Sequence, residues 1–310
     1  MSALFFTAAN PTIPTGGMVG ENKADISSWI PPQYRPKNAV IQPSDTLSDV
    51  QNSFEKAQLQ FPIVLKPTIG CRGLMVKKVE TWSEITEHIS QHPTTFLMEE
   101  FVDYPTEAAV LYWKHPETGK SGIQSVTIKE FLTVTGDGKS TVECLLMQNS
   151  RGILQLERLK KEKFDLLCSM PKMGETVVVE PIGNHCRGTK FLNFNHLITP
   201  EMVAAFDKIQ ADLPDCYVFR LDIKTPSVSD LQNGQNVKIL EINGVGSDPA
   251  HIFDPQTPFF EIWAAYFRLW KTIYDVSTAQ HRLGVPYMSV KEYKTFVKKQ
   301  KEVENLIVIH

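Results

Sequence analysis

Val218-Phe219-Arg220-Leu221-Asp222-Ile223 and Ile239-Leu240-Glu241-Ile242-Asn243-Gly244 are the stretches whose reading decides the fold. Both alternate as strands do, with successive side chains on opposite faces. Phe219, Leu221 and Ile223 take one face of the first, and Arg220 and Asp222 the other. In the second, Leu240 and Ile242 face one way, and Glu241 and Asn243 the other. A polar connection, 225–236, joins them. If the two strands pair, Asp222, Glu241 and Asn243 converge as oxygen ligands beside the Arg220 cation. Hard oxygen donors suit magnesium, which usually arrives with phosphates. The ordinary alternative is a pair of edge strands with polar outer faces.

Composition narrows the field. The chain has 310 residues, enough for a sizeable core. With 42% hydrophobic and 22% charged residues it reads as an ordinary globular protein. A net charge of -3 gives no general attraction to nucleic acid or membrane, so any polyanion is held by a few placed cations and backbone amides. The five cysteines form no CxxC pair, and their odd number fits no disulfide framework. Cys144, Cys168 and Cys216 read as buried thiols; Cys71 and Cys186 lie in candidate site loops. The first residues make a poor signal peptide, and no run approaches the ~18 apolar residues of a membrane span. A cytoplasmic protein is the expectation.

Outward from the two strands, helices are expected at 23–29, 46–60 (capped by Ser44 or Asp45), 82–90, 142–148, 152–167 and 200–213. Strands are expected at 63–66, 74–79, 95–102, 108–113, 122–134 and 177–181. Ser140 and Glu143 have capping-box spacing. Phe260, Trp263, Phe267, Trp270 and Tyr274 line one side of a helix at 259–274 and read as core. A charged helix at 291–304 reads as a solvated face.

Four further segments carry chemistry. In Ile63-Val64-Leu65-Lys66-Pro67-Thr68-Ile69-Gly70-Cys71-Arg72-Gly73 a strand runs into a glycine loop and a second strand, without the Walker pattern. Backbone N–H groups at Gly70 and Gly73 suit phosphate oxygens, and Lys66 suits a phosphate too. The plain reading is a hairpin with a surface lysine. Phe96-Leu97-Met98-Glu99-Glu100-Phe101-Val102 ends a strand in two acids. Backbone groups of Glu100 and Val102 could meet a base edge, Glu99 an amino group and Glu107 ribose hydroxyls; surface acids are the alternative. Gly136-Asp137-Gly138-Lys139-Ser140-Thr141 reads as a phosphate-loop fragment or as a turn and helix cap. Asn184-His185-Cys186-Arg187-Gly188-Thr189-Lys190 offers Arg187 and Lys190 as lid cations or as solvated loop charges.

Taken in order, over roughly residues 60–260, these segments resemble the ATP-grasp superfamily. The stretch FRLDIK…ILEINGVGSDP is similar to the end of D-alanine–D-alanine ligases, and TVTGDGKSTVECLL to cyanophycin-synthetase-like modules. The resemblance implies an α+β fold of two lobes with antiparallel sheets and the nucleotide between them. It divides the chain into an N-terminal segment, 1–22, a small lobe, 23–101, and a large lobe, 102–310. It implies ATP with one or two Mg²⁺, or Mn²⁺, held by Asp222, Glu241 and Asn243. Lys66, Gly70, Arg72 and Gly73 match the phosphate contacts, and Glu99, Glu100 and Val102 the adenine hinge. Glu107 matches the ribose acid, and Arg220 the arginine at the transferred phosphate. Lys23, in Gly20-Glu21-Asn22-Lys23, resembles an earlier ATP-contacting lysine with Asn22 in place of Asp. Arg187 and Lys190 remain lid candidates.

Members of this family usually carry a complete N-terminal domain, and here only a short segment precedes Gly20. Gly244-Val245-Gly246-Ser247-Asp248 also differs from the stretch that reads a D-alanine carboxylate. The implied activity is a carboxylate–amine or carboxylate–thiol ligase working through an acylphosphate. Its partners are small-molecule carboxylate and amine substrates, with no nucleic acid or membrane and with a homodimer left open. A regulatory ATP-binding module and a small-molecule kinase are the alternatives.

Overall fold

The computed structural model describes residues 2–70, 73–213 and 215–308. The fold is α+β, with antiparallel sheets and helices packed around them. The chain forms two compact units, residues 1–127 with 193–310, and residues 128–192.

Within the first unit, β1 (Asn38–Ile41), β2 (Ile63–Pro67), β3 (Lys77–Val79) and β4 (Phe96–Glu100) form a sheet in the order β1-β4-β2-β3. Helices Leu47–Lys56 and Trp82–Gln91 belong to the same region. Val50, Phe54, Ile63, Leu65, Ile85, Phe96 and Met98 make its core. Both helices begin at complete capping boxes, Thr46 with Asp49 and Thr81 with Glu84. Thr46, and not Ser44 or Asp45, is the cap of the first.

The larger sheet follows the order β11-β10-β5-β6-β9, from β5 (Thr106–Lys114), β6 (Ser121–Glu130), β9 (Lys190–Asn193), β10 (Val218–Thr225) and β11 (Lys238–Asn243). β10 is antiparallel to both β5 and β11. Its alternate residues Phe219, Leu221 and Ile223 are fully buried. Helix Phe259–Arg282 packs on this region through Leu269, Ile273 and Val276, which cluster with Phe6, Ala9, Leu111, Val218 and Val245.

The N-terminal segment is an integral layer of this unit. Asn10 is completely buried. Its Oδ1 accepts the N–H groups of Tyr217 and Val218 at 2.8 and 2.9 Å. Its Nδ2 donates to the carbonyls of Gly16 and Val218 at 2.9 and 2.7 Å. Four backbone groups thus depend on one amide.

The second unit contains a hairpin of β7 (Leu132–Thr135) with β8 (Thr176–Glu180). Short helices Val142–Leu146, Ser150–Ile153, Leu156–Glu162 and Phe164–Cys168 enclose Leu132, Val134, Leu146, Leu159 and Val179.

Several expectations need correction. The strand expected at 74–79 is only Lys77–Val79, because Gly73 and Met75 take positive φ and turn the chain. The strand expected at 122–134 divides at Phe131 into β6 and β7, which lie in different sheets. The helix expected at 152–167 is three short helices. Thr141, and not Ser140, caps the helix after the glycine turn; the Ser140 hydroxyl donates to Asp137. Among the described cysteines only Cys216 is buried, while Cys144, Cys168 and Cys186 are exposed. The aromatic stripe read as core faces solvent: Phe260 and Phe267 are more than 70% exposed, and smaller residues on the other side of the helix are buried.

Replacing Asn10 with Ala strands four backbone groups in a dry site. With about 1–3 kcal/mol for each unsatisfied buried group and partial relaxation, a loss of about 3–5 kcal/mol is expected for Asn10→Ala in urea unfolding. A loss under about 1 kcal/mol would show that the N-terminal layer is not a support of β10.

Candidate active site

The paired strands bring the four polar residues together. Across the β10–β11 ladder Arg220 lies opposite Asn243, and Asp222 opposite Glu241. Directly opposed residues share a face, so all four project to the same side. The register then shifts by one between Asp222 and Ile223, which pairs with Ile239. Leu240 is the extra residue, and Ile239 and Ile242 are the buried pair instead of Leu240 and Ile242. Such irregularities re-aim side chains beside functional sites.

Charges are paired across this face. Arg220 Nε donates to Asp222 Oδ1 at 2.8 Å, and a second guanidinium nitrogen reaches Oδ2 at 3.4 Å. Burial opposes the Arg220 charge, but Asp222, with Glu241 and Asp248 nearby, outweighs it and raises the arginine's pKa. Lys23 Nζ lies 3.5 Å from Glu241 Oε1 and donates to the Gly70 carbonyl at 2.6 Å. Lys23 therefore ties the glycine segment after β2 to the Glu241 carboxylate of β11. It opens helix Lys23–Trp29, where Asn22 accepts from the N–H groups of Ala24 and Asp25. Asn22 is thus a helix cap, a role its short polar side chain fills as well as Asp does.

On the four-stranded sheet, Lys66 is ion-paired and hydrogen-bonded to Glu99 across adjacent strands. Burial pushes the Glu99 carboxyl above its ordinary range, although Lys66 pulls it down. The Glu100 N–H donates to the Lys37 carbonyl at 2.8 Å, and the Glu100 carboxylate accepts the Lys37 N–H at 3.1 Å. The Val102 carbonyl accepts from buried Lys224 at 2.9 Å. Glu107, also buried, lies opposite Lys224 in the β5–β10 ladder. Gly73 has φ 70° and opens the turn toward β3. Cys71 and Arg72 lie outside the described residues.

Arg187 and Lys190 belong to the second unit. There Arg187 lies 3.2 Å from Glu180, a buried carboxylate that also meets Arg158 at 2.9 Å. Lys190 reaches Glu130 at 3.8 Å.

Two features escaped sequence reading. Glu21, between Gly20 and Asn22, accepts the Gly244 N–H at 2.6 Å. Its only sequence signal was its place beside Lys23. The loop after β11 is also stitched to the N-terminal segment, with the N–H groups of Val245 and Gly246 donating to the carbonyls of Gly16 and Gly17. A Cβ at Gly17 would lie 2.5 Å from the Gly244 Cα, so this approach requires glycine. Beside it opens a cleft of about 190 Å³ lined by Gly17, Glu21, Arg220, Asn243, Ser247 and Asp248. Asp248 is held there by the Tyr266 hydroxyl at 2.9 Å.

The donor set fits a hard cation. Two carboxylates and an amide share one face, and the buried Nδ2 of Asn243 has no hydrogen-bond partner. A half-turn of that amide presents its oxygen in the same place. Among the described residues no group of three His, Cys, Asp or Glu could hold a metal. Among the described residues no helix is long and apolar enough to cross a membrane.

Burial pushes the Glu21 carboxyl up to about 7; the Gly244 N–H opposes this and Glu241 adds to it. Folded Glu21 therefore keeps a proton that an unfolded glutamate has lost. The stabilisation is full below about pH 4.5 and is lost as pH rises to about 7. In metal- and nucleotide-free buffer the melting temperature is expected to fall across this window. Glu21→Gln, which mimics the protonated acid, should flatten part of that fall, with Glu99 contributing a slope of the same sign. An unchanged slope in the variant would assign the proton to another group.

No family model and no curated protein matches the chain. It is similar to several solved structures. With the VanG D-Ala:D-Ser ligase from Enterococcus faecalis the identity is 12% and the TM-score 0.46, over 84% of this chain and 61% of that one. With the D-alanine–D-alanine ligase from Bacillus anthracis the values are 13% and 0.46, over 85% and 69%. With a bifunctional glutathione synthetase from Pasteurella multocida they are 14% and 0.42, over 84% of this chain and only 39% of that one.

Proposed function

We propose that this chain is an ATP-grasp enzyme: an ATP- and Mg²⁺-dependent ligase that joins a small carboxylate to an amine, or to a thiol, through an acylphosphate. The observation that carries the reading is the shared face of Arg220, Asp222, Glu241 and Asn243, with Lys23 bridging Glu241 to Gly70. Cations, carboxylates and a glycine turn meet there, as a metal-bound triphosphate requires.

Asp222, Glu241 and Asn243 would hold the magnesium, which neutralises charge on phosphate oxygens. Lys23 and Lys66 would turn from their carboxylate partners toward phosphates. The Gly70–Gly73 segment, with Arg72, would close over them. Arg220 would stabilise the phosphoryl group in transfer, a contribution often among the largest in such sites. With the Glu100 N–H already given to Lys37 and the Val102 carbonyl to Lys224, the adenine edge would be read by the Glu100 carbonyl and the Val102 N–H. Glu99 would meet the exocyclic amine and Glu107 the ribose.

In the proposed reaction the γ-phosphoryl group passes to an oxygen of the substrate carboxylate and ADP leaves. The amine nitrogen then attacks the acyl carbon, the C–O bond to phosphate breaks, and the amine loses a proton. The cleft walled by Arg220, Ser247, Asp248 and Glu21 supports acceptor binding beside the transfer point. Acylphosphates hydrolyse readily, so water would have to be kept out of the site.

Mg-ATP at 100 times its dissociation constant is expected to stabilise the protein by about 2.7 kcal/mol, read as a rise in melting temperature. Asp222→Ala or Glu241→Ala should abolish the magnesium-dependent part of the rise. No rise in the parent protein at millimolar Mg-ATP would remove the nucleotide reading.

ADP release screened over carboxylates and amines, singly and in pairs, tests the reaction. Release only with a pair supports ligation. Release with one acceptor and a stable phosphorylated product would make the chain a kinase. Binding without turnover would make it a regulatory module.

A further inference from the structure

Helix Val290–Val308 packs on the N-terminal segment at two points. The Tyr293 ring meets Phe6 at 5.9 Å, and Phe296 sits on the backbone of Gly20. A Cβ at Gly20 would lie 2.1 Å from the Phe296 ring, so this approach requires glycine. Beside the contact is a cavity of about 320 Å³, within the range of roughly 300–1,000 Å³ usual for small-molecule sites. Its walls are aliphatic at Ile26 and Ile69 and aromatic at Trp29 and Phe296.

The charged groups that line this cavity are both acids. Glu21 gives Oε1 to the Gly244 N–H, and its Oε2 has no hydrogen-bond partner among the described residues. Asp25 is exposed and has no ion-pair partner among the described residues. No Lys, Arg or His is among the described residues that line the space. Two carboxylates beside two aromatic rings suit an organic ammonium: the acids accept its N–H groups, and the rings attract its charge. The same set rejects a carboxylate, which would lie there beside like charge and without a cation. An amino acid carries both groups and is therefore disfavoured. A plain amine with an apolar body fits.

Position ties the cavity to the polar face of β10 and β11. Among the described residues Glu21 alone lines both this cavity and the smaller cleft of Arg220, Asn243 and Ser247. A nitrogen held on Glu21 from the cavity is one side chain away from that cleft. We propose that the cavity binds an apolar amine that carries no carboxylate, and that this amine is the nucleophile of the ligation; its role as nucleophile rests on the ligase reading above. As the C–N bond forms and the C–O bond to phosphate breaks, the ammonium gives up one proton to the departing phosphate and one to solvent. Helix 290–308 supplies the roof of the site through Phe296.

Titration calorimetry of the full chain without nucleotide, at pH 8.5 where Glu21 is charged, tests the site by itself. Phenethylamine and hexylamine are the probes; phenylalanine and hydrocinnamate offer the same ring with a carboxylate. Phenethylamine is expected to bind at least about 10-fold more tightly than either carboxylate. Glu21→Gln with Asp25→Asn should weaken it by at least about 10-fold. Should that pair misfold, Asp25→Asn alone, at an exposed position, should still weaken it by about 3-fold. No binding of either amine overturns the proposal. So does equal binding of phenylalanine or hydrocinnamate, or undiminished amine binding in the folded variants. ADP release with Mg-ATP and a carboxylate then separates the two readings. Release driven by amines that the cavity variants use as well as the parent does overturns this site and leaves the ligase standing. Amine binding with no ADP release from any carboxylate keeps the amine site and removes the ligase reading, and with it the role as nucleophile.

Discussion

The arrangement depends on how β10 is held along both of its edges and at its start. β5 pairs with one edge and β11 with the other. Asn10 grips the backbone of Tyr217 and Val218, two residues before Arg220. Gly16 and Gly17 meanwhile bind the loop that follows β11. The N-terminal layer thus fixes the start of one strand and the end of its partner, the two points between which Arg220, Asp222, Glu241 and Asn243 are set. A polar amide buried at zero exposure is tolerated here because every one of its groups is used.

Electrostatics follow from that framework. Arg220 faces Asp222, Lys23 faces Glu241, and Lys66 faces Glu99, so each cation has a carboxylate partner before any polyanion arrives. Pairing is what makes these buried charges affordable; an isolated one would lose its hydration uncompensated. Glu21 differs: burial drives it toward the neutral form, Glu241 nearby adds to that, and the Gly244 N–H opposes it.

Much of this was legible in the sequence, and the limits have physical causes. Alternation in the two strands located β10 and β11 and the face that carries the polar residues, because the period of a strand is local. The one-residue shift at Leu240 was not legible, since it arises from pairing across the ladder. The short helix expected at 23–29 is present, but the cap of the next helix was misplaced because Ser44, Asp45 and Thr46 are all competent caps. Only the reciprocal bond with Asp49 selects Thr46. The part played by residues 1–22 was missed altogether. Asn10 acts across 208 positions of sequence, and no local pattern announces it.

The aromatic helix shows why size is a poor guide to which face is inside. Helix 259–282 has an apolar stripe on each side, one of Phe and Trp, the other of Ala265, Leu269, Ile273 and Val276. Hydrophobicity favours the aromatic stripe as the buried one. Packing decides otherwise: the side that meets Leu111, Val218 and Phe6 is already filled by large residues, and a second row of large rings would overpack it. Ala and the branched aliphatics fit that space, so Phe260, Trp263 and Phe267 turn outward, while Trp270 and Tyr274 meet the Phe5 ring at the edge of the packed side.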